Sequence, residues 1–268
     1  MKLGVIGTGN MASAIVEGIL KKQFMACNDI YCYNIYAEEA TAFASRFNIN
    51  KCATYKMVVE ETDYILLAVK PNVIPEVITA IKSYLTNNKT LISIAAGVNI
   101  KAIEALINQE CPIIRVMPNI NAIVQEGAAG ICFNQQVKEK QEQFVFDLFN
   151  SLGKTYRIAE KDFPTYAAIA GCSPAFTYLF IDALARAAVR NGLKKEQAVD
   201  ITAQAVLGSA KMLLEGTDSP FNLIDKVCSP GGTTIEGIYT LEDEAFMGTI
   251  MNAVQASIDK DYELQKKE

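Results

Sequence analysis

Leu3-Gly4-Val5-Ile6-Gly7-Thr8-Gly9-Asn10-Met11-Ala12 is the stretch on which the fold of this chain turns. Lys2 to Ile6 has the apolar character of a short strand, and Ile15 and Ile19 follow the glycines at helical spacing. Strand, glycine turn and helix in succession form the arrangement that cradles a dinucleotide pyrophosphate. Gly7 permits the tight turn, Gly9 has no side chain to block a phosphate, and Ala12 lets helix and strand pack closely. The free N–H groups at the helix start then face the anion, with Thr8, Asn10 and Met11 completing the loop. The same string could serve as a plain glycine turn in an unrelated α/β domain. Its place between a strand and a helix at the N-terminus favours the nucleotide.

Outward from this loop, apolar strands are expected at 2–6, 30–33, 64–69, 90–94, 113–117 and 129–133, with helices at 11–21, 36–47, 73–84, 99–107 and 137–150. This rhythm predicts a mostly parallel sheet covered on both faces, a Rossmann-type α/β domain over residues 1–162. From about residue 163 strand alternation stops. Residues 163–268 read as an all-helical domain, with Ser173 as N-cap before Pro174, a stop at Asn191-Gly192, a helix from Lys195 to Leu214, a cap at Ser219-Pro220, and helices near 233–241 and 243–260. Asp261 to Glu268 are polar and expected to fray. The helices after 174 are alanine-rich and apolar on wide faces. Either an oligomeric helical domain or a large intrachain interface would cover them, and oligomerisation is favoured.

Composition narrows the function. Half the residues are hydrophobic and 21% are charged, which marks an ordered protein. The net charge is -5 and no basic block appears, so nucleic acid is not an expected partner. No charge-free run is read as long enough to span a bilayer, and a cytoplasmic location follows because the N-terminus is itself the first strand. The seven cysteines are scattered, with no CxxC pair, and read as reduced and mostly buried. There is no histidine. No imidazole metal site and no histidine acid–base chemistry are available, and no metal is expected.

Four further stretches bear on a site. Lys70-Pro71 follows Ile65 to Val69 at the expected ligand-binding edge of the sheet. Ala95-Ala96-Gly97 after Leu91 to Ile94 is either a close approach to a cofactor or a simple turn. Arg115-Val116-Met117-Pro118-Asn119 reads either as one exposed arginine before a proline stop, or as a strand end placing Pro118 and Asn119 at the cofactor. Ser229-Pro230-Gly231-Gly232-Thr233-Thr234 offers backbone N–H groups and two hydroxyls where a helix begins, either an ordinary cap or a carboxylate site. Cys228 beside it has no visible base and is not read as a nucleophile.

Taken together, Gly7 to Ala12, Ala68-Val69-Lys70-Pro71, Arg115 to Asn119, Gly171 to Ala175 and Ser229 to Thr234 resemble the pyrroline-5-carboxylate reductase family over essentially the full length. The resemblance implies reduction of the imine L-1-pyrroline-5-carboxylate to L-proline by NADPH or NADH. It implies a first domain for the cofactor, and a helical domain that forms a homodimer with substrate sites near the interface, often as a decamer of five dimers. It assigns cofactor contacts to Gly7, Thr8, Gly9, Asn10, Met11, Ala12, Asn34, Ala68, Val69, Lys70, Pro71, Ala95, Gly97, Met117, Pro118 and Asn119. It assigns the substrate carboxylate to Gly231, Gly232 and Thr233, and the ring nitrogen to the Thr234 hydroxyl, the catalytic group.

NADPH is preferred and NADH tolerated on this reading. Tyr33-Asn34-Ile35-Tyr36 holds no carboxylate against a 2′-phosphate, and the first arginine after it is Arg46. The chain departs from the family pattern at Ile120-Asn121, where Thr-Pro is usual. It departs at Ala170-Gly171-Cys172-Ser173, where Ser-Gly-Ser-Gly is usual, and at Tyr55, where an asparagine contacts the ribose. These departures leave as alternatives a diverged paralogue reducing another cyclic imine or ketoacid, or a non-catalytic NADPH-binding regulator. A ketoacid reductase would need a proton donor, for which Lys70 and Lys211 are the candidates.

Overall fold

The computed structural model describes residues 1–265, which form two compact units. One holds Met1–Gly171 and the end of the chain from Ile258; the other is Cys172–Ser257.

The first unit is built on alternating strands and helices: β1 (Leu3–Ile6), α1 (Asn10–Lys21), β2 (Ile30–Tyr33), α2 (Ala37–Phe47), β3 (Asn50–Lys51), α3 (Tyr55–Glu61), β4 (Tyr64–Leu67), α4 (Ile74–Ile81), β5 (Thr90–Ser93), α5 (Ile100–Ile107), β6 (Ile113–Met117), β7 (Gly127–Phe133), α6 (Glu139–Asn150), β8 (Gly153–Arg157) and α7 (Phe163–Tyr166). Among the described residues the strands form one sheet in the order β3-β2-β1-β4-β5-β6-β7-β8, parallel throughout except between β6 and β7. Its central strands are continuous apolar runs because both faces are covered. Leu3, Val5, Tyr64 and Leu66 join one core, under α1 and α6. Ile6, Ile65 and Leu67 join the other, under α4 and α5.

Three elements were not expected from periodicity. β3 is two residues long. β8, Gly-Lys-Thr-Tyr-Arg, is a polar strand paired to β7 at the sheet margin, so it carries no alternating apolar face. α3 is about two turns long, buries Val58 and Val59, and is started by Thr54, whose hydroxyl accepts from the Met57 N–H at 3.2 Å.

Arg115 corrects a second expectation. It is 5% exposed, not a surface arginine. Its Nη1 lies 3.1 Å from Glu160 Oε1, and its guanidinium sits 4.4 Å from the centre of the Phe163 ring. Glu160 Oε1 also accepts from the Ile100 N–H at 2.8 Å, tying the start of α5 to β6.

Phe163 and Tyr166 pack into the first unit, which is why the compact unit runs past residue 162 to Gly171. The chain stays helical from α7 through a π turn, Ala167–Cys172, into α8 (Ser173–Arg190). Ser173 is therefore not an N-cap: Cys172 before it is already helical at φ −88°, ψ −34°. Pro174 has no N–H to offer the carbonyl four residues back, that of Ala170. Asn119 Nδ2 donates to that oxygen instead, at 3.0 Å.

Residues 163–181 are free of charge, and the helical stretch Glu160–Arg190 is long and apolar enough, by length and composition, to cross a bilayer. This corrects the reading that no run reaches that length. Interspersed Thr, Tyr and Ser had masked it.

The second unit contains α8, α9 (Lys195–Glu215), α10 (Pro220–Val227), α11 (Thr233–Asp243) and most of α12 (Phe246–Gln265). Ser219 caps α10 through the Asn222 N–H, as expected. α12 continues past Asp261 to Gln265; residues 266–268 of the expected frayed tail lie outside the described residues. Among the described residues of these helices, only Pro174, Ala185 and Ala198 are buried. Leu179, Leu214, Phe221, Val227 and Met251 are each more than 60% exposed. Apolar surface on this scale calls for a protein partner.

Candidate active site

Gly7 closes β1 at φ +98°. A Cβ there would lie 2.5 Å from the Ala68 carbonyl oxygen and 2.9 Å from Val69 Cγ1, so the loop is pressed against the end of β4. On the other side the Gly7 N–H donates to the Tyr33 carbonyl at 2.9 Å. Gly9 is the reverse case. It is the N-cap of α1 in extended conformation, exposed, and a Cβ on it would meet nothing within 4 Å. Thr54, Asn99 and Ser219 cap α3, α5 and α10, but no side chain among the described residues caps α1. Its first N–H groups thus face open space that a side chain at Gly9 would fill, a cradle that fits a pyrophosphate.

The two glycines are separable by experiment. Gly9→Ala should cost about 1 kcal/mol of stability or less yet weaken NADPH binding by about tenfold or more, since the methyl occupies the cradle. Thermal unfolding and fluorescence titration of the same preparation read both numbers. Unchanged NADPH affinity would remove the loop from the binding site.

The parallel strands bring the other expected residues to the same sheet edge. Asn34 follows β2, and its Nδ2 donates to Thr8 Oγ1 at 2.6 Å, across to the glycine loop. The Ala68 N–H donates to the Ile6 carbonyl at 2.8 Å, and Lys70 stands exposed before the turn Pro71–Val73. Ala95 is buried and Gly97 turns at φ +79° beyond β5. Met117 and Pro118 end β6 half-buried, with Met117 Cε 3.6 Å from where a Cβ on Gly171 would lie. Asn119 reaches the edge, but its side chain is committed to the protein. It is 7% exposed, donates to Ala170 O, and accepts from the Ala128 N–H at 3.1 Å.

Two participants were not legible in the sequence. Glu39, in the first turn of α2, places Oε2 2.7 Å from Asn34 Nδ2. Glu160 holds Arg115 and the start of α5. Tyr55, at one of the departures, opens α3 half-buried, with its ring centre 4.4 Å from that of Tyr33 at a tilt of 58°. Ile120, at a second departure, is exposed at the start of the turn Ile120–Val124.

In the second unit Gly231 turns at φ +67°, a region that favours glycine, and Gly232 is the N-cap of α11 in extended conformation. The Gly232 N–H donates to the Ser229 carbonyl at 3.0 Å, which fixes the turn. Thr233 and Thr234 open α11, both exposed, and no side chain among the described residues caps the helix. N–H groups and two hydroxyls therefore converge at one helix start, a constellation suited to a carboxylate and a polar ring atom.

Three of the buried thiols are inert. Burial pushes the Cys32 thiol up to about 11 and those of Cys111 and Cys132 up to about 12, so they stay protonated at neutral pH. No group of three or more Cys, Asp or Glu suited to a metal occurs among the described residues.

The pyrroline-5-carboxylate reductase of Escherichia coli strain K12 is 36% identical to this chain over 265 residues, covering 99% of this chain and 98% of its own. That of Arabidopsis thaliana is 37% identical over 267 residues, covering 99% and 96%. The chain belongs to the pyrroline-5-carboxylate reductase family. Residues 160–264 match the family described as pyrroline-5-carboxylate reductase dimerisation, and residues 2–97 match that of the coenzyme F420-dependent NADP oxidoreductases. The crystal structure of the Plasmodium falciparum reductase with NADP bound superposes with a TM-score of 0.87 at 36% identity, covering 97% of both chains. The Coxiella burnetii reductase superposes at 0.93 with 32% identity, covering 98% of both. Within this family the exposed apolar helices of the second unit have a ready account: they lie in the segment that matches a dimerisation domain, and the chain is built to associate with copies of itself.

Proposed function

We propose that this chain reduces L-1-pyrroline-5-carboxylate to L-proline with NADPH, accepting NADH less well, as the last step of proline synthesis. The observation that carries the reading is full-length similarity to reductases of that name, in a chain that keeps the cradle at Gly9 and the Gly231–Thr234 helix start.

When bound, NADPH supplies the hydride that converts the C=N carbon to an amine carbon. The Gly7–Ala12 loop would hold its pyrophosphate, Asn34 its ribose, and the edge formed by Ala68–Pro71, Ala95, Gly97 and Met117–Pro118 the rest of the molecule. The Gly231 and Thr233 N–H groups hold the substrate carboxylate, while that of Gly232, expected to join them, is spent on the Ser229 carbonyl and shapes the turn. The Thr234 hydroxyl orients the ring nitrogen; its own pKa makes it a poor acid, so it positions and polarises rather than donates a full proton. A protonated imine is already electrophilic, so a protein without histidine suffices: its work is to align two rings and exclude misaligned poses.

The exposed apolar faces of α8–α12 support a homodimer through the helical unit, and the family resemblance extends this to a decamer of five dimers, in the cytoplasm. Purified protein should oxidise NADPH only when pyrroline-5-carboxylate is present, and show under about 1% of that rate with a plain ketoacid, whose carbonyl oxygen needs a stronger proton donor than the Thr234 hydroxyl. Ketoacid turnover equal to imine turnover would overturn the reading.

A further inference from the structure

Beyond the glycine loop, the edge carries one acidic group with a defined place. Asn34 Nδ2 donates to Thr8 Oγ1 at 2.6 Å and to Glu39 Oε2 at 2.7 Å, while Asn34 Oδ1 accepts from the Tyr36 N–H at 3.2 Å. The amide is thereby locked, and the exposed Glu39 carboxylate stands one residue's reach from the loop that receives the pyrophosphate. The end of the second strand is where a Rossmann-type domain meets the ribose that carries either a 2′-hydroxyl or a 2′-phosphate. A carboxylate accepts several hydrogen bonds, so one amide donor does not saturate Glu39.

The nearest basic groups on the same elements are held elsewhere. Arg46, in the last turn of α2, pairs with Glu17 of α1 at 2.8 Å. Lys51 of β3 bonds Thr41 Oγ1 at 2.7 Å and the Ala37 carbonyl at 3.5 Å, on the face of α2 turned about 200° from Glu39.

We propose that Glu39 sets the ribose preference of this chain. Its carboxylate accepts a 2′-hydroxyl and opposes a 2′-phosphate, so that the preference for NADPH over NADH is held low. The inference rests on the glycine loop being the dinucleotide site, as argued above.

Glu39→Gln tests it, because the amide keeps an oxygen for Asn34 Nδ2 and removes only the charge. Dissociation constants for NADPH and NADH are measured by fluorescence titration, and kcat/KM is measured for each with pyrroline-5-carboxylate. The ratio favouring NADPH should rise about tenfold at low salt and by less at high salt, where an exposed charge is screened. Glu39→Lys should raise it further. Glu38→Gln, one residue away, should leave it within about twofold of the parent. A ratio unmoved by Glu39→Gln and Glu39→Lys, with both cofactors still bound, overturns the role of Glu39 and leaves the site standing. Failure of the parent protein to bind either cofactor overturns the site and this inference with it.

Discussion

Glu160→Ala is expected to destabilise the protein by about 3–4 kcal/mol, because it strands a buried cation. The Arg115 side chain is 6% exposed and that of Glu160 30%. Removing the carboxylate leaves the guanidinium desolvated, with Phe163 at 4.4 Å as its compensating contact. It also takes the acceptor from the Ile100 N–H at the start of α5. Arg115→Met leaves the better-solvated partner behind and should cost less, about 1–2 kcal/mol. The double variant Arg115→Met/Glu160→Met should recover much of the loss, since no buried charge is then unpaired. Urea unfolding at one fixed protein concentration gives all three values, with concentration held because self-association adds to apparent stability. Equal costs for the two single variants would show that burial does not decide this pair.

Thr234→Ala carries the second large effect. If the hydroxyl orients the imine nitrogen, turnover should fall about a hundredfold, the scale for losing one preorganised polar contact to the reacting group. NADPH affinity should change by less than about twofold, because the residue serves the substrate and not the cofactor. Thr234→Ser, which keeps the hydroxyl, should restore most of the rate. Steady-state kinetics alongside NADPH titration separates these effects. Unchanged turnover in Thr234→Ala would remove Thr234 from the chemistry.

Much of the sheet and both loops could be read in advance, for reasons visible in particular residues. β1 and β4 are buried on both faces and so are written as unbroken apolar runs, and β5 keeps Leu91-Ile92 between a buried Thr90 and Ser93. Gly7 announces its turn because its conformation admits little else. Part of what escaped reading depends on groups far apart in sequence. Arg115 looks like a solvent-facing arginine until folding brings Glu160 to it. Asn119 looks like a ligand-edge residue until Ala170 and Ala128 take its amide. Glu39 lies past the short stretch after β2 that bears on the ribose, and only the first turn of α2 folds it back onto Asn34. Ser173-Pro174 has the form of a helix start, yet the residues before it are already helical, so local capping logic fails there. The exposed side chains of α8–α12 were legible as apolar faces, and their cover is absent from a single copy of the chain.

The central claim is that a hydride passes from the nicotinamide to the imine carbon of pyrroline-5-carboxylate. NADPH deuterated at both C4 positions, incubated with the protein and pyrroline-5-carboxylate, tests it directly by mass spectrometry and NMR of the product. The account predicts L-proline carrying a single deuterium, on ring carbon C5. NADPH consumed without labelled proline would contradict it.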